Sequence, residues 1–206
     1  MYKDSRGQAI RKYSRHEELS GLLKGAIWDV ESRKLTHSYQ PHDKPVNMAA
    51  FSRDGEYLYA GSTDGKIHKW NIASNNRLPI LLTHDKRLHD VVVDLKGGLV
   101  ATSAEDGLIK LWDPNSLSLV RTTVVESDPI NGGNVWSMLL NNDSTLLASF
   151  INKNPWRSLK FKLWEWPNMT LVSEFHLPEN SSATAFSPNN NLFAFANKQD
   201  FGLSLY

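Results

Sequence analysis

The chain has 206 residues, 40% of them hydrophobic and 22% charged, and its 23 Lys and Arg almost balance 22 Asp and Glu, for a net charge of +1. This is an ordinary globular composition, long enough to bury a core, without the basic excess of a nucleic-acid or acidic-membrane binder. There is no cysteine, so disulfide and thiol chemistry are excluded. No apolar run approaches the ~18 residues of a membrane span, and the charged N-terminal stretch lacks the apolar region of a secretory signal. The expectation is an intracellular, cytoplasmic protein, in which the Asn-x-Ser/Thr triplets at Asn142, Asn168 and Asn180 are chance matches.

Residues 1–20 are polar and locally basic, and read as an N-terminal arm. From 21 onward the chain is a run of short apolar strands separated by turn residues, with no helical period. Residues 22–28, ending in Trp28, and Lys34–Tyr39 read as the last two strands of a partial unit covering about 21–40. A complete unit follows over 41–82. Its strands are expected at Val46–Phe51, Tyr57–Gly61, Lys66–Trp70 and Leu78–Leu82, parted by the turns at Asp54-Gly55, Asp64-Gly65 and Asn75-Asn76. The unit over 83–125 repeats the pattern at the same offsets, through Leu88–Leu95, Leu99–Ser103, Leu108–Trp112 and Ser118–Val125. The unit over 126–176 does so with longer connections, and 177–206 is a partial unit that reaches Tyr206.

One position keeps time for all of this. Trp28, Trp70, Trp112, Trp164 and Tyr206 follow one another at 42, 42, 52 and 42 residues. Four short strands on a period of ~40–45 residues are the mark of a propeller blade. The fold class is therefore all-β: a propeller with three full blades and a partial one at each end.

At the level of motifs, the chain resembles the WD40 repeat family over about 21–206. The resemblance rests on His42, Phe51-Ser52-Arg53-Asp54-Gly55, Gly61-Ser62-Thr63-Asp64-Gly65 and Trp70-Asn71, then on His84, Asp106-Gly107 and Trp112-Asp113. It implies a hydrogen-bonded structural tetrad of His42, Ser62, Asp64 and Trp70 in the second unit. In the third unit it implies His84, Asp106 and Trp112, with Ala104 at the hydroxyl position and the tetrad therefore incomplete. In the fourth, Asn131 stands where the His is expected.

His42, Ser62 and Asp64 also spell a Ser-His-Asp set, but the set recurs at the repeat period and its serine falls inside a strand, not on an exposed elbow. The seven histidines show no metal-ligand spacing, so no catalytic residue, metal or cofactor is expected. Asp200-Phe201-Gly202 matches a kinase motif without its companion loops.

What departs from the period points to function. The connection Glu126–Asn134 is five residues longer than its counterpart before Leu88, and the loop Asn152–Ser158 adds five more. Both belong to the propeller face formed by the connections before the first strands and the turns between second and third strands. Trp156 and Arg157 on that insertion, with Lys86, Arg87 and His89 beside it, are the candidate partner-binding residues.

The expected function is a non-catalytic scaffold that presents this loop face to a protein partner, with no nucleic acid and no membrane. The alternatives are a propeller hydrolase or lactonase, and a sensor segment of a larger signalling protein. Seven blades of ~42 residues, usual in the family, would need about 290 residues. The ring is thus expected to be a fragment, to close through a second copy or a complementing chain, or to close on itself as a small ring.

Overall fold

A computed structural model describes residues 2–3, 9–10, 25–39, 44–94, 96, 98–126, 133–152, 159–177, 181–190, 192–197 and 203–205. Among these residues every regular element is a strand. In the N-terminal arm, β1 (Tyr2–Lys3) pairs with β2 (Ala9–Ile10). Then β3 (Gly25–Trp28) pairs with β4 (Leu35–Tyr39) as a two-stranded partial blade.

Three four-stranded antiparallel blades follow. The first holds β5 (Val46–Phe51), β6 (Tyr57–Ser62), β7 (Lys66–Asn71) and β8 (Asn76–Thr83). The second holds β9 (Leu88–Val93), β10 (Val100–Ala104), β11 (Leu108–Asp113) and β12 (Ser118–Val124). The third holds β13 (Asn134–Leu140), β14 (Leu146–Asn152), β15 (Leu159–Glu165) and β16 (Thr170–Leu177). A three-stranded partial blade, β17 (Ser181–Phe186), β18 (Phe193–Asn197) and β19 (Leu203–Leu205), ends the order. The fold is an incomplete propeller of the WD40 type.

Blades stack because each central strand is apolar on both sides. Along β10, Val100 and Ala104 face the blade before, while Ala101 faces the blade after. Along β14, Leu147 and Ile151 face one neighbour, and Ala148 and Phe150 the other. Alternation at period two sends successive side chains into successive seams. The last seam is phenylalanine-rich: Phe193 lies 4.6 Å, centroid to centroid, from Phe161 and 5.2 Å from Phe186.

The Asp-Gly turns have a packing role. Gly65 and Gly107 sit at φ +82 and +76, and each accepts a backbone bond from the connection leaving its blade, from His84 N (2.9 Å) and Val125 N (3.0 Å). A Cβ on Gly65 would overlap the His84 carbonyl oxygen, and one on Gly107 would overlap that of Glu126. Glycine is required at both turns by the conformation and by the close passage of the next connection.

Polar links also stitch the blades. At the turns on the side opposite the Asp-Gly loops, Lys69 Nζ donates to Pro114 O at 3.0 Å and the Trp166 indole donates to Asp94 Oδ2 at 2.9 Å. On the innermost strands, Asn47 Nδ2 donates to Leu88 O at 3.0 Å. Asp90 on β9 reaches across to β13, accepting Met138 N–H at 2.8 Å and Ser137 Oγ–H at 3.1 Å on one carboxylate oxygen.

No cation neutralises Asp90 among the described residues. Burial pushes its carboxyl up to about 6 against the opposing pull of the bonds from Met138, Val91 and Ser137. A carboxyl that holds its proton more tightly when folded lends stability that is full below the unfolded pKa of about 4. That stability is lost as pH climbs through the folded value. Urea unfolding of the wild type should lose on the order of 2 kcal/mol between pH 4 and 6.5 from this group, and Asp90→Asn should flatten that stretch of the profile. An unchanged profile in the variant would remove Asp90 as its cause.

Candidate functional site

The structural tetrad is complete in the second full blade, with one member different from the sequence expectation. His84 Nδ1 lies 2.7 Å from Asp106 Oδ2, and His84 Nε2 lies 2.7 Å from Thr102 Oγ1. The Trp112 indole N–H donates to the same hydroxyl at 2.9 Å. The donors order themselves along the chain of groups. Trp112 gives its proton to Thr102, the Thr102 hydroxyl gives its own to Nε2 of a neutral imidazole, and Nδ1–H gives to the carboxylate. The second carboxylate oxygen, Oδ1, accepts Leu108 N–H at 3.1 Å, which holds the Asp-Gly turn. Burial alone would raise the Asp106 carboxyl, but the His84 bond, the Leu108 amide and Lys110 together hold it below the usual range.

Thr102, not Ala104, is therefore the hydroxyl residue. The reason is register. Trp112 pairs across the ladder with Val100, and Thr102 is the next residue on the same face. The same rule finds Ser149, two beyond Leu147, the partner of Trp164; the Trp164 indole donates to Ser149 Oγ at 2.8 Å.

In the first full blade the rule lands on Ala60, two beyond Leu58, the partner of Trp70. Ser62 is four residues beyond Leu58, roughly 13 Å along the strand. Its hydroxyl bonds Lys44 O at 3.3 Å, and the Trp70 indole turns instead to Asn75 Oδ1 at 3.2 Å. Ser62 is thus not the tetrad hydroxyl. Asp64 keeps its turn role, with Oδ1 accepting Lys66 N–H at 2.9 Å. His42 lies outside the described residues.

The loop face is knit by backbone bonds. Within a blade, Thr63 N donates to Pro45 O at 3.1 Å and Glu105 N donates to Arg87 O at 3.0 Å. The turns between second and third strands therefore lie against the connections that lead into the first strands, as expected. Lys86 and Arg87 are exposed there, and His89 is partly buried, its Nε2 3.7 Å from Glu105 Oε1. Burial, its largest influence, holds the His89 imidazole below its ordinary range. Trp156 and Arg157 lie outside the described residues, so their place on this face remains an expectation.

The face also holds a residue that the repeat pattern passed over. The innermost strand of each blade carries one unpaired residue near its start: Asn47, His89 and Trp136, with Ser182 in the partial blade. Such bulges re-aim a side chain out of the ladder. Trp136 is 41% exposed, unlike Trp112, Trp164 and Trp166, which are at most 6% exposed. Its signal in the sequence is that it stands 47 residues after His89, which stands 42 after Asn47. Among the described residues no three His, Cys, Asp or Glu side chains gather as a metal centre needs.

The tetrad gives a test of its own. Thr102→Val keeps the shape but leaves the indole N–H and the imidazole nitrogen unsatisfied in a buried place. It should cost on the order of 3 kcal/mol in urea unfolding. A loss below about 1 kcal/mol would remove the hydroxyl from the centre of this network.

Comparison with known proteins agrees with this geometry. The family model described as WD domain, G-beta repeat matches residues 33–71 and 76–113. The chain is 25% identical over 120 residues to the pre-rRNA-processing protein crb3/ipi3 of Schizosaccharomyces pombe, covering 50% of this chain and 27% of that protein. It is 34% identical over 90 residues to eukaryotic translation initiation factor 3 subunit I of Eremothecium gossypii, covering 43% and 25%. It is 28% identical over 104 residues to mouse striatin-4, covering 45% and 13%. The matched stretches thus span about a quarter or less of these relatives' own length. WD40 repeats thus lie at 33–71 and 76–113, over strands β4 to β7 and β8 to β11.

Proposed function

We propose that the chain is a non-catalytic interaction scaffold that presents its loop face to a protein partner inside the cell, in the cytoplasm, without a cofactor. The observation that carries this reading is the closure of the repeat's own chemistry. The Asp–His–hydroxyl set that could have served an enzyme is spent on holding a strand pair together, with the His84 side chain only 1% exposed. Two and three residues farther on, Lys86 and Arg87 stand exposed. Similarity to WD repeat relatives concerned with translation initiation and rRNA processing supports an interaction role at this coarse level.

The partner-binding residues in this reading are Trp156, Arg157, Lys86, Arg87 and His89, with Trp and Arg as the anchors usual at hot spots. Further repeats, from a second copy or a complementing chain, complete the ring and cover exposed apolar residues of the first partial blade such as Trp28 and Leu35.

Affinity capture from cell extract with the tagged chain tests the site. Trp156→Ala/Arg157→Ala should lose the captured protein, and Lys86→Glu/Arg87→Glu should weaken it. Far-UV circular dichroism and the thermal midpoint should stay as in the wild type. Capture undiminished in both double variants would place the partner elsewhere.

A further inference from the structure

One position of the repeat runs through the seams, just behind the bulges. It is held by Met48, Asp90 and Ser137 in the three full blades, each directly after its bulge residue. Only in the second full blade is it ionisable. The Asp90 carboxyl leaves its own sheet and accepts Met138 N–H and Ser137 Oγ–H from the next blade, with Val91 N–H on its other oxygen. All three donors are neutral. A carboxylate buried among neutral groups is held at a cost that protonation removes.

Directly across the ladder on β10 stands Ser103, the residue paired with Asp90. Residues paired in this way share a face of the sheet, with Cβ atoms about 5 Å apart. Ser103 is fully buried, and its hydroxyl has no hydrogen-bond partner among the described residues. Buried hydroxyls are seldom left so. The carboxylate beside it already takes three donors, but a proton on that carboxyl makes it a donor in turn. Rotation of the Ser103 side chain then brings an acceptor to it.

Little else near Asp90 shares in its titration. β10 and β13, packed against it, and β5, on the far side of β9, carry no ionisable residue. Tyr57 and Tyr59 of β6 lie in the seam before, under Lys69 and beside Leu88 and Val91. On β9 itself His89 stands out of the ladder at the bulge, with Glu105 beside it. Lys160 and Lys162 reach across the same seam farther out, where they are engaged by Glu126, Glu174 and the Val125 carbonyl. Asp94, at the seam's other end, holds the Trp166 indole.

We propose that the seam between the second and third full blades is a pH-set joint. Protonated, Asp90 donates to Ser103 Oγ while still accepting from Met138 and Ser137, and the blades close. Ionised, it favours an opened seam in which water reaches the carboxylate. Asp90 in this way acts on one seam ahead of the fold as a whole, and the opening is felt first at the connections that lead into β9 and β13. The direction follows from linkage. The carboxyl stands at about 6 when the seam is closed and near the ordinary value of about 4 when hydrated. Closure is therefore fully favoured below pH ~4 and about a hundredfold weaker by pH ~7.

Two NMR measurements on the full chain test the joint. The Asp90 carboxyl carbon should titrate with a midpoint near 6. Ser103→Ala should lower that midpoint by about one unit, a tenfold loss in affinity for the proton. Protection of the Met138 amide, corrected for the intrinsic exchange rate, should fall about a hundredfold from pH ~4 to ~7. The Trp166 indole should follow in the same sense, and the amides of β6 in the first full blade should not. Asp90→Asn, which cannot ionise, should leave Met138 protection flat with pH, whatever its level.

Met138 protection that is flat in the wild type, or that falls equally in Asp90→Asn, would overturn the switch. Amides of β6 falling in step with Met138 would overturn the joint, since the effect would then belong to the whole chain. A midpoint unmoved in Ser103→Ala would overturn Ser103 as the acceptor. The Asp90→Asn arm stands even if Ser103→Ala unfolds, which circular dichroism would reveal.

Discussion

The structure depends on one hydroxyl placed between an indole and an imidazole. Thr102 Oγ1 accepts from Trp112 and meets His84, and through His84 it reaches the carboxylate that caps the Asp106-Gly107 turn. A strand centre, a strand end, a turn and the connection before the first strand are fixed by one chain of four polar groups. Each would be costly if buried alone, and together each is satisfied. Where the hydroxyl recurs as Ser149, the indole of Trp164 is held in the same way. Where Ala60 replaces it, the indole of Trp70 leaves the strand and bonds a turn asparagine, and a tilted contact with Tyr39 at 5.8 Å packs its ring.

Seams between blades add the second constraint. The two seams between the full blades are apolar in the middle and polar at both ends, with Asn47 or Asp90 at the inner strands and Lys69 or Trp166 at the far turns. Apolar stacking is non-directional, so it brings blades together without fixing how far one slides on the next. The end links supply that register. They also make the inner row rigid enough to present a patterned surface. The outer strands are treated differently: unpaired residues Thr36, Val120 and Val172 interrupt their edges opposite the anchor tryptophans. Such interruptions blunt an edge that would otherwise recruit another strand.

The blade count and most strand positions were legible because two signals coincide, the turn residues and the tryptophan period. The tetrad hydroxyl was misread for a physical reason. Thr102 and Ala104 lie on the same face of one strand, and only the pairing of Val100 with Trp112 decides between them. Counting from the turn selects the wrong one, and the same slip selected Ser62. Trp136 was hidden because it sits in the run Asn134–Leu140, which reads as an apolar core strand; nothing local announces that a bulge turns one member outward. Asp90 was hidden in the opposite sense, since a carboxylate in a short strand reads as solvent-facing, while the bonds that tie it across the seam come from residues 47 and 48 positions away. The enlarged loop carrying Trp156 and Arg157 was legible as a departure in length alone.

Trp112, Trp164 and Trp166 hold the blades through buried indole bonds, whereas Trp136 on the loop face stands exposed. Hydrogen exchange at the indole N–H groups, followed by NMR in deuterated buffer, tests this residue by residue. Trp112, Trp164 and Trp166, donors to Thr102, Ser149 and Asp94, should exchange only through opening of the blades. Trp136 should exchange at close to the solvent rate. Trp112 and Trp164 exchanging as fast as Trp136 would contradict this assignment.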